Sequence, residues 1–111
     1  MRTKHALKAL SALAQESRLT IFKTLVRSGK DGISAGELGE KLGIPPATLS
    51  FHLSQLSNAE MIQSQKQGRT IIYSANFENM KNLLEYLYDR FVDSEIAATP
   101  QNPEGDTKAS G

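Results

Sequence analysis

The sequence predicts a mainly α-helical fold with a small β-wing: a winged helix-turn-helix of five helices plus a two-stranded antiparallel hairpin. Three observations carry this expectation. Residues 44–62, IPPATLSFHLSQLSNAEMI, set Leu49, Leu53 and Leu56 at i, i+4 and i+7, so they share one face of a helix. Residues 63–74, QSQKQGRTIIYS, follow at once with two short runs around a Gly-Arg tip. Just upstream, residues 33–42 carry Leu38 and Leu42 on one side and break at Gly43, where glycine can take the left-handed conformation that ends a helix.

Taken in order, the first helix is expected over residues 3–14, with Leu7, Leu10 and Leu13 as an apolar stripe. The second starts near Ser17 as N-cap, buries Leu19, Phe22, Leu25 and Val26, and stops at Gly29. Residues 33–42 supply the third helix and residues 46–58 the fourth. Pro45 and Pro46 suit the turn and the first helical position, because proline fixes φ and lacks only an amide that would be unpaired there. The hairpin is expected from runs 61–66 and 70–74 about a Gln67-Gly68-Arg69 turn, with Ile71, Ile72 and Tyr73 as strand formers. The fifth helix, residues 77–96, repeats Met80, Leu83, Leu84, Leu87 and Phe91 at helical spacing, with Tyr88, Val92 and Ile96 as a second stripe beside them.

At 111 residues and 39% hydrophobic content the chain suits one small domain with a modest core, expected over residues 1–98. Residues 99–111, TPQNPEGDTKASG, hold no large apolar side chain and read as a flexible polar tail. There is no cysteine, which excludes disulfides and thiolate metal sites. No apolar run reaches the length of a membrane span and the first ten residues lack a secretory signal, so a cytoplasmic location is expected. Catalysis has little support: neither a nucleophile with its base nor a carboxylate pair stands at a telling spacing, and no phosphate-binding GxxxxGK occurs.

The net charge of +1 conceals a polarity. Residues 1–81 hold eleven Lys or Arg against six Asp or Glu, whereas residues 82–98 hold one against four. Positive sign therefore gathers on the part that carries the helix-turn-helix, which suits a nucleic acid partner. In such a motif the second helix enters the major groove with its N-terminal residues at the base edges. The expected DNA contacts are Pro46, Ala47, Thr48, Ser50, Phe51, His52 and Gln55, on a face without a carboxylate, and Arg69 at the wing tip. Thr48, Ser50, His52 and Gln55 can hydrogen-bond to bases or phosphates, and Phe51 can meet a thymine methyl group. His52 also admits a role as a packed motif residue.

The wide apolar surface of the fifth helix exceeds what a small core needs. Leu7, Leu10, Leu83, Leu84, Leu87 and Phe91 are accordingly expected at a homodimer interface that sets two reading heads on a pseudo-palindromic, double-stranded DNA operator.

These residues resemble the ArsR/SmtB-type bacterial repressors. The resemblance covers ALKALSALAQESRLTIFKTLV at 6–26, GISAGELGEKLGIPPATLSFHLSQLSNAEMI at 32–62 and the wing QGRTIIYS at 67–74. Its more specific parts are the Ser17-Arg18-Leu19 stretch and Ser50-x-His52-Leu53. It implies a homodimeric repressor that leaves its operator when a ligand, often a metal ion, binds. The family's sensor positions are not kept. Ser34, Gly36 and Glu37 stand where one cysteine site aligns, Phe91 and Val92 stand where another does, and the fifth helix has no histidine for a zinc site. As(III) needs soft thiolates, which this chain lacks, and a carboxylate cluster of Asp89, Asp93 and Glu95 would hold transition metals poorly. The expectation is therefore no metal site and no cofactor, with the inducer unknown. Two alternatives stand beside it: a small-molecule or metal-responsive derepressor with a non-thiolate sensor site, lined for instance by Phe22, Tyr86 and Tyr88, and a protein-interaction module on the same scaffold.

Overall fold

The computed structural model describes residues 1–93, with side chains through Arg90. The expected tail at 99–111, and Glu95 and Ile96, lie outside the described residues, as do the side chains of Phe91, Val92 and Asp93.

Helix α1, Thr3–Leu13, buries Ala6, Ala9 and Ala12. This departs from the expected leucine stripe. Alanine lets helices approach closely, so the subunit closes on the small residues and leaves Leu7 61% and Leu10 38% exposed. Leu13 is half-buried against the core.

Helix α2, Glu16–Ser28, is capped two residues earlier than expected. Gln15, not Ser17, is the N-cap, its side chain accepting the Arg18 amide at 2.9 Å. The buried face is Ile21, Phe22, Thr24 and Leu25. Leu19, expected inside, is 45% exposed. It lies roughly 160° around the helix from Ile21, the centre of that face.

Gly29 ends α2 at φ 71° as anticipated. Gly32 then holds φ 76° where a Cβ would fall 2.4 Å from the Tyr73 carbonyl oxygen. That close approach allows a third strand the sequence reading assigned to helix. β1, Ile33–Ser34, pairs antiparallel with β3, Thr70–Ala75, through Ile33 to Tyr73 and Ser34 to Ile72. The wing is thus the outer part of a three-stranded sheet of order β1-β3-β2, with β2 at Ile62–Gln67.

Helix α3, Ala35–Leu42, and helix α4, Pro46–Asn58, form the expected pair. Helix α5, Phe77–Leu87, continues as a π-helical segment, Tyr88–Asp93, where a single α-helix was anticipated. Asn76 caps α5 by accepting the Asn79 amide at 3.1 Å. The core joins Ile21, Leu25, Leu38, Leu49, Leu53, Leu56, Met61 and Leu83 with the α1 alanines. Among the described residues, no helix is long and apolar enough to cross a membrane.

Candidate nucleic-acid interface

The helix-turn-helix is built by local chemistry. Ser34 caps α3: its hydroxyl accepts the Glu37 amide at 3.1 Å and donates to the Glu37 carboxylate at 3.3 Å, so the side chain of the third helical residue reaches back to the cap. Gly43 closes the same helix in the left-handed region at φ 67°, and the Ile44 amide reaches back to the Gly39 carbonyl at 3.0 Å. A Cβ at Gly39 would stand 3.1 Å from the Ile44 oxygen and 3.3 Å from Leu49 Cδ2. Glycine there lets α3 and the turn lie tightly against α4. Pro46 occupies the first turn of α4, as expected.

Helix α4 splits cleanly. Leu49, Leu53 and Leu56 are buried at 3% exposure or less. Pro46, Ala47, Thr48, Ser50, Phe51 and Ser54 are exposed, with Phe51 at 57%, and Gln55 is half-buried. No acidic side chain lies on α4. A groove of about 480 Å³ runs beside it, walled by Gly36, Gly39 and Gly43 on one side and by Pro46, Leu49 and Ser50 on the other, with Tyr73 at its edge.

His52 is the correction. The expectation set it among the DNA contacts, yet the side chain is 8% exposed and faces inward. The Arg18 guanidinium reaches it, Nη1 lying 3.4 Å from His52 Nδ1, while Arg18 Nε donates to the Ala12 carbonyl at 2.7 Å. The His52 ring also meets the Phe51 ring edge-on, centroids 5.7 Å apart at 61°. On the helical wheel His52 flanks the outward face but stands only about 40° from Leu56, at the edge of the leucine face; its contact with Arg18, 34 positions upstream, is the part that no local pattern reveals. Arg18, missed by the sequence reading as a functional residue, is the side chain that ties the end of α1 to α4.

The wing tip is tighter than expected. Gln67 pairs with Thr70, leaving a two-residue turn of Gly68 and Arg69 in place of three. Gly68 sits at φ 64°, the glycine-first arrangement of a short hairpin turn. Arg69 is exposed at its end. The base of the wing is held firmly: Asn76 Nδ2 and Asn79 Nδ2 both donate to the Glu60 carbonyl, at 3.1 and 3.0 Å.

The expected interface residues divide. Leu7, Leu10 and Leu84 are exposed, the last at 59%, and Leu87 is half-buried. Leu83 is corrected to the core at 4% exposure, because it lies on the α5 edge that faces its own subunit. Phe91 has no described side chain. The proposed sensor aromatics do not gather: Phe22 is core, Tyr88 is 54% exposed, and Tyr86 bonds Thr3 at 2.6 Å beneath Arg90. Among the described residues no cluster of three His, Cys, Asp or Glu side chains could hold a metal ion.

The chain is similar to known DNA-binding proteins over these elements. A model of the helix-turn-helix domain family matches residues 13–65. The HTH-type transcriptional regulator YceK of Bacillus subtilis is 40% identical over 73 residues, covering 66% of this chain and 72% of the relative. The transcriptional activator HlyU of Vibrio cholerae is 30% identical, with 75% and 74% covered. Among solved structures, the transcriptional repressor BigR from Xylella fastidiosa superposes with a TM-score of 0.60 at 28% identity, over 81% of this chain and 89% of that one.

Proposed function

The chain belongs to the ArsR/SmtB family of winged helix-turn-helix transcriptional regulators, and from that premise we propose that it is a homodimeric repressor whose two α4 helices enter successive major grooves of a pseudo-palindromic operator. It is a DNA-binding regulator and not an enzyme. One observation carries the docking mode: α4 is locked to the core by three leucines and presents an acid-free row, Pro46, Ala47, Thr48, Ser50, Phe51 and Ser54, to solvent. Carboxylates there would meet phosphates, and none is present. Arg69 on the two-residue wing tip supplies a cation for phosphate or a narrow minor groove.

The dimer rests on a second observation. Leu7, Leu10 and Leu84 stay exposed on α1 and α5, which the Thr3 to Tyr86 hydrogen bond joins at 2.6 Å, and Tyr88 stays exposed at the start of the π-helical segment that follows. Large apolar side chains left in water on two adjoining helices favour burial against a copy of the same surface. Repression is the economical output, since occupancy of the operator alone excludes other proteins; among the solved relatives BigR is described as a transcriptional repressor.

Anisotropy of a labelled duplex from the gene's upstream region, titrated at two salt concentrations against a scrambled duplex, tests the reading. Selective binding that weakens steeply with salt is expected, because phosphate neutralisation releases counterions. Equal, weak binding to both duplexes would sink it in favour of an interaction module. Sedimentation of wild type and Leu84→Glu tests the dimer: the variant is expected to be monomeric and to lose operator affinity, and a wild type that is monomeric at micromolar concentration would remove the two-headed mode.

A further reading is small-molecule control at the 480 Å³ groove between α3 and α4, which is of ligand size. A molecule seated there would touch Pro46 and Ser50 on the reading helix. A thermal-shift screen against metabolites separates this from constitutive repression, because a ligand selective for the native state raises the melting temperature.

A further inference from the structure

We infer that Phe51 is the principal sequence-reading residue, that it selects thymine by burying the C5-methyl group, and that His52 acts as its brace and not as a DNA contact. This deepens the DNA-reading assignment above and rests on it.

The outward face of α4 is unusual in chemistry. The commonest base-specific contacts are bidentate: Arg or Lys to guanine, Asn or Gln to adenine. α4 carries no Arg or Lys, and its one asparagine, Asn58, is its last residue. Its only glutamine, Gln55, is half-buried. The exposed positions in its first turns are Pro46, Ala47, Thr48 and Ser50, too short or too apolar for a fork of hydrogen bonds, and then Phe51 at 57% exposure. In the major groove the apolar feature that distinguishes one base from the others is the thymine methyl, which Ala, Thr and Phe side chains can cover. A large ring kept in water on a DNA-facing helix is relieved of its hydration cost when it meets such a group.

The ring is also held in place. His52 packs edge-on to it at 5.7 Å and is itself buried, with Arg18 behind it at 3.4 Å. Arg18 is fixed in turn by the Ala12 carbonyl at the end of α1. The series Ala12, Arg18, His52, Phe51 therefore connects a helix of the proposed dimer surface to the reading ring, and a rigid aromatic anchor discriminates better than a mobile one.

The test changes the DNA as well as the protein. A preferred duplex is first recovered from a random-sequence library with the full chain, and each thymine is then replaced singly by deoxyuridine, which removes only the methyl. Loss of about fourfold in affinity is expected at one or two positions per half-site, the effect of about one buried methyl-sized group. Phe51→Ala should abolish that sensitivity, Phe51→Leu should keep part of it, and both should fold, since the ring is exposed. His52→Leu should reduce the deoxyuridine effect with a smaller change in binding to non-selected DNA. Selective binding indifferent to every deoxyuridine, or an undiminished deoxyuridine effect in Phe51→Ala, would overturn the assignment of Phe51 while leaving DNA reading intact. Failure of the library to yield any preferred sequence would overturn DNA reading itself, and this assignment with it.

Discussion

Arg18 Nη1 lies 3.4 Å from His52 Nδ1, joining α2 to the buried side of α4 across 34 residues of sequence. A guanidinium can only donate, so a hydrogen bond at this contact has His52 Nδ1 as acceptor and the ring proton on Nε2. The same guanidinium satisfies the Ala12 carbonyl at the end of α1 through Nε at 2.7 Å. Arg18→Met retains most of the stem but removes both contacts, and is expected to cost about 1–3 kcal/mol in urea unfolding. Nitrogen chemical shifts should show the Nε2-protonated tautomer in wild type. An Nδ1-protonated ring would mean that the long contact is not a hydrogen bond.

Two glycines of α3 make opposite predictions from the same substitution. Gly36 has nothing within 4 Å of an added Cβ, so Gly36→Ala is expected to stabilise the protein by somewhat less than the roughly 1 kcal/mol by which alanine exceeds glycine in a helix interior. At Gly39 the added carbon meets the Ile44 carbonyl at 3.1 Å and Leu49 Cδ2 at 3.3 Å. The carbonyl is backbone in a tight turn and yields little, so α3 must move from α4. Gly39→Ala should lower the melting temperature and weaken operator binding together. A Gly39→Ala protein more stable than wild type would show that the turn relaxes freely.

What could be read in advance depended on the range of the interaction. Leu49, Leu53 and Leu56 announce α4 because their spacing is local and long enough to show a period, and Gly43 and Pro46 mark its neighbours by backbone restrictions of their own. β1 could not be seen: two residues show no period, and Ser34 serves both as strand residue and as the cap of α3. Ala6, Ala9 and Ala12 are as periodic as Leu7 and Leu10, so the sequence did not say which set faces the core; close helix packing chose the smaller one. The acid-free face of α4 was legible, and so was the place of His52 at the edge of the leucine face, but its Arg18 partner was not, because it lies on another helix.

Glu60 is the one non-glycine residue with positive φ among those described, at 60°. It follows the α4 cap, where the Met61 amide returns to the Leu56 carbonyl at 3.0 Å, a position that favours glycine. The left-handed conformation costs an L-residue roughly 1–2 kcal/mol, and the Glu60 side chain is exposed. Glu60→Gly should therefore raise stability by about 1 kcal/mol after the added freedom of the unfolded chain is subtracted. Glu60→Ala keeps the strain and should gain nothing. Equal stabilisation by both would place the origin in the side chain, not the backbone.

Arg69 offers the sharpest separation of phosphate contact from base reading. It is exposed at the end of a two-residue turn, opposite no acidic residue of the wing, so its removal should leave stability unchanged within about 0.5 kcal/mol. A cation that neutralises one phosphate in each subunit contributes about one unit per contact to the slope of log K against log salt. In a dimer Arg69→Ala should therefore flatten that slope by about two units and weaken selected and scrambled duplexes alike. Phe51→Ala should do the reverse, narrowing the difference between the duplexes while leaving the salt slope in place. If Arg69→Ala instead erases discrimination at an unchanged slope, the arginine reads groove shape or a base edge, and the wing belongs to the specificity surface together with α4.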